Sequence, residues 1–377
     1  MLTVEQLNTH DKKQVRRFIE LPFRLYAGCP QWVPPIRIDQ AAQLNKNKHP
    51  YYEHSDGDFF IAVKDGKDVG RLAVFENRRY NAYHQKKQAH FYFFETEQDI
   101  VIAESLFERA YEWAKKRGLN TLVGPKGLGP LDGYGLLVEG FEHRQMMTMM
   151  NYNFAYYPQL LEKLGFSKEV DFVSCYINTE QFNLPDRVYR IAERAMQRSG
   201  LHVLEFKTKK ELQAWAPRIG KAYNQAFIHN WEYYPLTQHE IDFVVNNILT
   251  IANPKLIKII AHGEDAVGFL FGLQDVSAAL QRSKGRRLPF GLLDILLELR
   301  RTRWISLNGA GILPEFQGRG GNALLYAGMV KTVQNKDFHF EHAEMTQVAE
   351  TAETLRADLI NLGGKPYKNH RVYRKEL

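Results

Sequence analysis

The chain repeats one order of elements at long range, and this order constrains its fold more than any single motif does. Apolar runs at 59–63 and 69–75 flank the turn Asp65-Gly66-Lys67-Asp68, a hairpin signal. A strand is expected at 91–94. At 100–117, Ile102, Leu106, Ala110 and Trp113 fall at helical spacing and Gly118 stops the helix. A strand at 121–124, a helix at 156–163 running into Leu164-Gly165-Phe166 and a strand at 172–177 close the first cycle. The second cycle has a strand at 202–206, helices at 212–227 and 240–251, and a hairpin of 256–262 with 266–274. A strand at 304–313, a helix at 322–334, a strand at 341–347, a helix at 351–361 ending in Leu362-Gly363-Gly364 and a closing strand at 372–375 follow. The expectation is an α+β fold of two modules, each a mixed sheet flanked by helices. The boundaries expected are 1–184 and 201–377, joined by a helix at 185–200. Residues 1–20 read as one further helix.

The net charge of +7 is unevenly placed. Residues 1–180 hold 23 basic and 23 acidic residues, so the excess belongs to 181–377, with 27 against 20. Segment 282–303 alone carries Arg282, Lys284, Arg286, Arg287, Arg300, Arg301 and Arg303 against Asp294 and Glu298. A nucleic acid or a polyphosphate ligand would suit such a half. The first residues carry Asp11 and Lys12 where an export signal needs an apolar run, and no apolar stretch is long enough to cross a bilayer. A cytoplasmic chain without stable membrane insertion is expected. Cys29 and Cys175 have no zinc or nucleophile motif around them, and the histidines lack ligand spacing, so no metal is expected.

The sharpest local feature is GILPEFQGRGGNA at 311–323, which joins an apolar strand to a helix. A glycine-rich turn opening a helix offers unpaired amides at the positive end of the helix dipole, which suits a pyrophosphate. The lysine and hydroxyl of a Walker loop are absent.

PEFQGRGG at 314–321 resembles the acyl-CoA-binding signature of the GNAT acyltransferase superfamily, Gln/Arg-x-x-Gly-x-Gly/Ala. Gln317 and Gly320 match its first and fourth positions. Asn322 stands at the sixth, between Gly321 and Ala323. The order of elements fits both halves, so the chain resembles a tandem GNAT protein. Its N-terminal stretch, from PFRLYAGCPQWVPP to FYFF, is also similar to a group of bacterial GNAT-like proteins of unassigned substrate.

The resemblance implies acetyl-CoA or another acyl-CoA as cosubstrate. Ile312 and Leu313 would pair with the pantetheine, while Gln317, Gly318, Arg319, Gly320, Gly321, Asn322 and Ala323 would hold the pyrophosphate. The first half departs from the pattern: its corresponding segment, Glu95-Thr96-Glu97-Gln98-Asp99, has three acids and no glycine. The family's usual acid, a tyrosine four residues before the helix-ending glycine, is replaced by Leu359, and by Leu161 in the first half. Tyr367 and Tyr373 are the substitutes within reach in sequence. Glu344 is the candidate base, a role that requires burial or a neighbour that favours its neutral form.

The function implied is transfer of an acyl group, in the first instance acetyl, from CoA to a small amine. A noncatalytic acyl-CoA-binding module and an aminoacyl or peptidyl transferase using charged RNA are the alternatives. No aromatic and basic RNA platform is visible, so no nucleic-acid partner is expected. A glycine-rich loop at 126–135 and the aromatics Tyr152, Phe154, Tyr156 and Tyr157 would line a substrate wall or belong to the core. Residues 291–299, apolar over most of a helix with basic ends, would cover the site as a lid, pack on the neighbouring module or on a second copy as a homodimer, or lie on a membrane surface, where about nine residues are too short for a firm anchor.

Overall fold

The computed structural model describes residues 1–129, 132–146 and 150–377. It contains two compact units. The first comprises Met1–Val173, Val276–Leu297 and Lys368–Leu377, and the second Ser174–Asp275 and Glu298–Tyr367. Neither unit is a continuous half of the chain. The helix expected at 185–200, Asp186–Ser199, is a core element of the second unit, burying Val188, Ala192 and Ala195.

The first unit holds strands β1 (Leu2–Gln6), β2 (Asp56–Lys64), β3 (Lys67–Glu76), β4 (Gln88–Thr96), β5 (Thr121–Gly124) and β6 (Leu136–Glu139). Strand β7 (Ser167–Asn178) begins in the first unit and ends in the second. The second unit holds β8 (Leu201–Leu204), β9 (Ile257–His262), β10 (Asp265–Gln274), β11 (Trp304–Ile312) and β12 (His342–Ala349). Strand β13 (Lys365–Glu376) leaves the second unit and returns to the first.

The two units share a pattern. β1, β2, β3 and β4 pair antiparallel in order, and β4 then pairs parallel with β5. β8, β9, β10 and β11 do the same, and β11 pairs parallel with β12. Both fourth strands carry a bulge: an extra residue beside Leu72 around Phe93, and Gly309 between Ala310 and Asn308. Phe93 and Gly309 both have positive φ, 54° and 69°. A phenylalanine in that region is strained by about 1 kcal/mol, and packing of its ring against Phe18 and under Arg71 holds it there.

Residues 1–20 are not one helix. Leu2–Gln6 pairs with β2, and the helix Lys12–Leu25 starts only after Asp11, whose carboxylate accepts from the amides of Lys13 and Gln14. The closing strand also behaves differently from expectation. Tyr373 stands opposite Gly124 of β5, so the end of the second sequence cycle completes the first unit's sheet.

The first core lies under helix Ile100–Lys116, where Phe107 makes edge or tilted contacts with Phe91, Phe94 and Phe166 at 5.0–5.1 Å. In the second unit, helices Asp186–Ser199 and Gly321–Val333 share one cluster with Ile305 and Ala343, and helix Lys209–Ala226 shares another with Phe269 and Phe271.

Two outcomes follow. Replacing Tyr373 by Ala removes a buried ring from the first unit and is expected to cost about 3–5 kcal/mol in denaturant unfolding. Hydrogen exchange should accelerate at Thr121–Gly124, some 250 residues away in sequence. His370, wholly buried, has its pKa pushed down to about 4 by burial. Its unfolded value is near 6.5, so its contribution is fully present above that pH. It is lost as pH falls from about 6.5 towards about 4, by on the order of 3 kcal/mol. The difference in stability between wild type and His370→Gln, measured across that range, should carry this slope.

Candidate functional site

The glycine turn of the second unit occupies residues 313–320, between the end of β11 and helix Gly321–Val333. A single helical turn at Pro314–Phe316 comes first, with Phe316 and Gln317 donating amides to Leu313 and Pro314. Gly318 and Gly320 then adopt φ of +73° and +84°, conformations that L side chains resist. Gly320 caps the helix without any side-chain bond. Among the described residues, no amide of 318–323 donates to a backbone carbonyl. The turn is therefore a row of unspent N–H groups at the positive end of a helix.

The side chains around it divide into those held and those open. Gln317 Nε2 donates to the carbonyl of Ile312 at 3.1 Å, and Asn322 Nδ2 donates to Asp358 at 3.1 Å. Asn322, the departure from the signature, is thus a brace between two helices. Arg319 lies over the Phe316 ring at 5.2 Å. Gly321 admits no side chain, because a Cβ would sit 2.8 Å from Ile312 Cδ1. Ala323 and Ile312 are buried in the core. The amide of Leu313 donates to Val267 at 3.0 Å, so that group is engaged within the sheet.

Pairing between β11 and β12 runs from Trp304 opposite His342 to Leu307 opposite Met345, and stops. β11 continues to Ile312 and β12 to Ala349. The bulge at Gly309 turns the strand at the point where the pairing ends. One face of this region is polar and buried. Ser306 stands opposite Glu344, its hydroxyl 2.9 Å from that of Thr346, and Asn308 follows two residues on. Ser174 of β7 accepts the amide of Gln347 at 3.0 Å.

Glu344 has no exposed surface, which meets one of the two conditions for a base. Two residues before it, His342 Nδ1 lies 2.9 Å from the hydroxyl of Tyr176, and which atom donates depends on the imidazole tautomer. Trp304 packs on His342 at 4.5 Å, and Tyr367 lies 6.0 Å from Tyr176 between ring centres. Burial pushes the Tyr176 phenol upward. The second unit therefore brings Tyr176, His342 and Tyr367 together at the first pair of the β11–β12 ladder, with Glu344 two residues further along β12. Tyr373 is not among them: it lies in the first unit's core, its hydroxyl donating to Glu162 at 3.3 Å. Leu359 is a buried core residue. Sequence reasoning passed over Tyr176 and His342, since neither lies in a motif and only strand register brings them together.

The corresponding region of the first unit is filled. Only three residues, 97–99, join β4 to helix Ile100–Lys116, and the Asp99 carboxylate caps that helix through the amide of Val101. The end of β4 is occupied by tyrosines: Tyr156 donates to the carbonyl of Thr96 at 2.7 Å, and the amide of Thr96 donates to Tyr157 at 3.0 Å. Glu95 accepts from Tyr26 at 2.7 Å and Tyr157 at 2.9 Å, with Arg71 nearby at 3.9 Å. Burial holds its pKa above the ordinary carboxylate value, an effect that Arg71 and the two hydroxyls oppose. The chain after β5 stays against β4, with Lys126 donating its amide to Phe91. In the loop at 126–135, Pro130 and Leu131 lie outside the described residues. The amides of Leu128 and Gly129 are spent on Asp132, at 2.8 and 2.9 Å. Among the described residues, no cluster of three or more His, Cys, Asp or Glu could hold a metal.

No family model matches the chain. It is 26% identical over 369 residues to the bacterial ceramide synthase of Caulobacter vibrioides, covering 97% of this chain and 95% of that one. It is 24% identical over 374 residues to Protein YghO of Escherichia coli K12, covering 97% and 94%. Among solved structures it resembles a tandem GNAT protein from the clavulanic acid biosynthesis pathway, with a TM-score of 0.59 at 12% identity over 100% of this chain and 98% of that one. A fungal GCN5-related glucosamine N-acetyltransferase region gives 0.57 at 13% identity, covering 100% of this chain and 38% of that protein. The chain has the tandem GNAT fold. No transmembrane helix is found among the described residues.

Gly320 is packed as well as twisted: a Cβ there would lie 3.0 Å from the Ala195 methyl and 3.1 Å from Ile191 Cγ2. Gly318 shares the positive φ but has nothing within 4 Å. Gly320→Ala should therefore destabilise the protein by about 1–3 kcal/mol, and Gly318→Ala by about 1 kcal/mol, in thermal or urea unfolding.

Proposed function

We propose that this chain is an acyl-CoA-dependent N-acyltransferase whose chemistry belongs to the second unit. The observation that carries the reading is the row of unspent amides at 318–323, set at the end of a strand that parts from its parallel neighbour after Leu307. A pyrophosphate satisfies those amides, and the gap where the two strands part suits the extended amide-bearing arm of a CoA thioester. Binding of the nonreacting CoA moiety positions the thioester, which is where much of the rate enhancement arises.

In the reaction the amine nitrogen attacks the thioester carbonyl carbon. A C–N bond forms, the C–S bond breaks, and the amine loses one proton while the departing thiolate gains one. Glu344 is assigned to accept the proton. Tyr176, linked to His342, is assigned to supply one to the thiolate, with Tyr367 as the nearer alternative to Tyr373. Leu359 offers no acid, so the proton has to come from another element than in the usual arrangement.

The acyl group expected from the sequence is acetyl and the acceptor a small amine. The relative named bacterial ceramide synthase supports a longer reading. A ceramide is the amide of a fatty acid with a long-chain amino alcohol, so the same chemistry extends to a fatty acyl-CoA and a lipid-borne amine. A noncatalytic acyl-CoA-binding role is favoured by one observation, the apolar Leu359.

Calorimetry with acetyl-CoA and palmitoyl-CoA tests the premise. Aspartate tolerates positive φ, so Gly318→Asp should fold normally while placing a negative charge among the phosphate-facing amides. At least a tenfold loss of CoA-thioester affinity is expected, about 1.4 kcal/mol or more. Glu344→Gln should keep binding and lose thiol release with primary amines, including sphinganine. Absence of wild-type binding to either thioester overturns the reading. Binding without thiol release from any amine supports the noncatalytic role.

A further inference from the structure

Most large hydrophobic side chains that reach the surface do so singly or in twos and threes, but residues 288–297 break that rule. Leu288 and Phe290 are 73% and 75% exposed, and Leu292, Leu293, Leu296 and Leu297 lie between 43% and 56%. The four leucines stand at helical spacing on one face of Gly291–Arg301. The opposite face carries the acids. Glu298 is 8% exposed, and Asp294 receives two hydrogen bonds of 2.9 Å from the Arg282 guanidinium. The helix thus turns four leucines and Arg300 outward, while its inward side holds both acids together with Ile295 and Leu299.

The display is braced. Gln281 donates to the carbonyls of Pro30 and Trp32 at 2.8 and 3.0 Å, and the amide of Arg37 donates to Gly285 at 3.2 Å. A Cβ on Gly291 would sit 1.7 Å from the Arg286 carbonyl, so the chain turns tightly into the helix. Residues 276–297 belong to the first unit, to which these bonds tie them. A fixed leucine face in water is unfavourable, so a partner that covers it is implied.

The rim identifies the chemistry of that partner. Segment 282–303 has seven bases and two acids. Both acids pair within the segment, Asp294 with Arg282 and Glu298 with Arg301. Lys284, Arg286 and Arg300 have no acidic partner in ion-pair contact among the described residues. A second copy meeting this face isologously would bring the same cations together, which opposes pairing. An anionic lipid surface offers hydrocarbon for the leucines and phosphates for the bases at the same boundary.

We propose that residues 282–301 form a docking element for the surface of an anionic bilayer, the leucine face entering the headgroup boundary and Lys284, Arg286 and Arg300 contacting lipid phosphates. The helix is too short to cross a bilayer, so it lies on the surface. This stands on exposure and charge and does not depend on the acyl-transfer reading.

Sedimentation of the full chain with vesicles of phosphatidylglycerol and phosphatidylcholine, and with phosphatidylcholine alone, is the test, at low and high salt and without any substrate. The wild type should pellet with the anionic vesicles, more weakly at high salt and with the neutral ones. Leu293→Asp with Leu296→Asp, and separately Arg286→Glu with Arg300→Glu, should each weaken binding about tenfold or more. These side chains are exposed, so the circular dichroism melt should be unchanged. A wild type that stays in the supernatant, or variants that bind equally well, overturns the proposal. So does a concentration-dependent dimer that the leucine variant abolishes, because a second copy would then cover the face.

Discussion

The parting of β11 from β12 after Leu307 is the constraint on which the candidate site rests. Parallel strands ordinarily pair along their common length. Here Gly309 inserts an extra residue, the bulged strand bends, and the pairing ends. Beyond the end of β11 the chain takes eight residues to reach the next helix, and in them two glycines of positive φ leave the amides unspent. The buried polar face of Ser306, Asn308, Glu344 and Thr346 lies along the same two strands. Bulge, glycine turn and polar face follow from one local departure from regular sheet.

The first unit keeps the skeleton and closes the gap. Its bulge falls at Phe93 instead of a glycine, and its turn is three residues long instead of eight. Its helix is capped by a carboxylate, and Tyr156 and Tyr157 bond the backbone at the end of β4. The acids of that segment have structural work. Glu97 pairs with Arg24 and Lys67, Asp99 with Lys64, and Glu95 sits among two tyrosines and Arg71. One architecture thus yields an open strand end in one unit and a filled one in the other. The difference lies in turn length and in which side chains reach the strand end.

The basic excess has a similar local explanation. It does not build the glycine turn, where Arg319 is offset by Glu315. It gathers around a helix with four outward leucines, in a segment that Gln281 anchors to the proline- and aromatic-rich loop near residue 30.

The order of elements, the hairpins, the glycine turn and the fold resemblance can all be read from local pattern. Periodicity and turn chemistry act over a few residues and survive without tertiary context. Helix Tyr156–Lys163 and the hairpin around Asp65-Gly66 were legible for that reason. The start at Leu2–Gln6 was misread as helix because edge pairing with β2 overrides local pattern. Long-range pairing sends β13 back to the first unit, which takes Tyr373 from the candidate site into a core. It also brought Tyr176 beside His342, because strand register joins residues 166 apart that no local spacing connects. The outward turn of the leucines was decided there too: a helical period states that one face is apolar, and only the neighbours state which way it points.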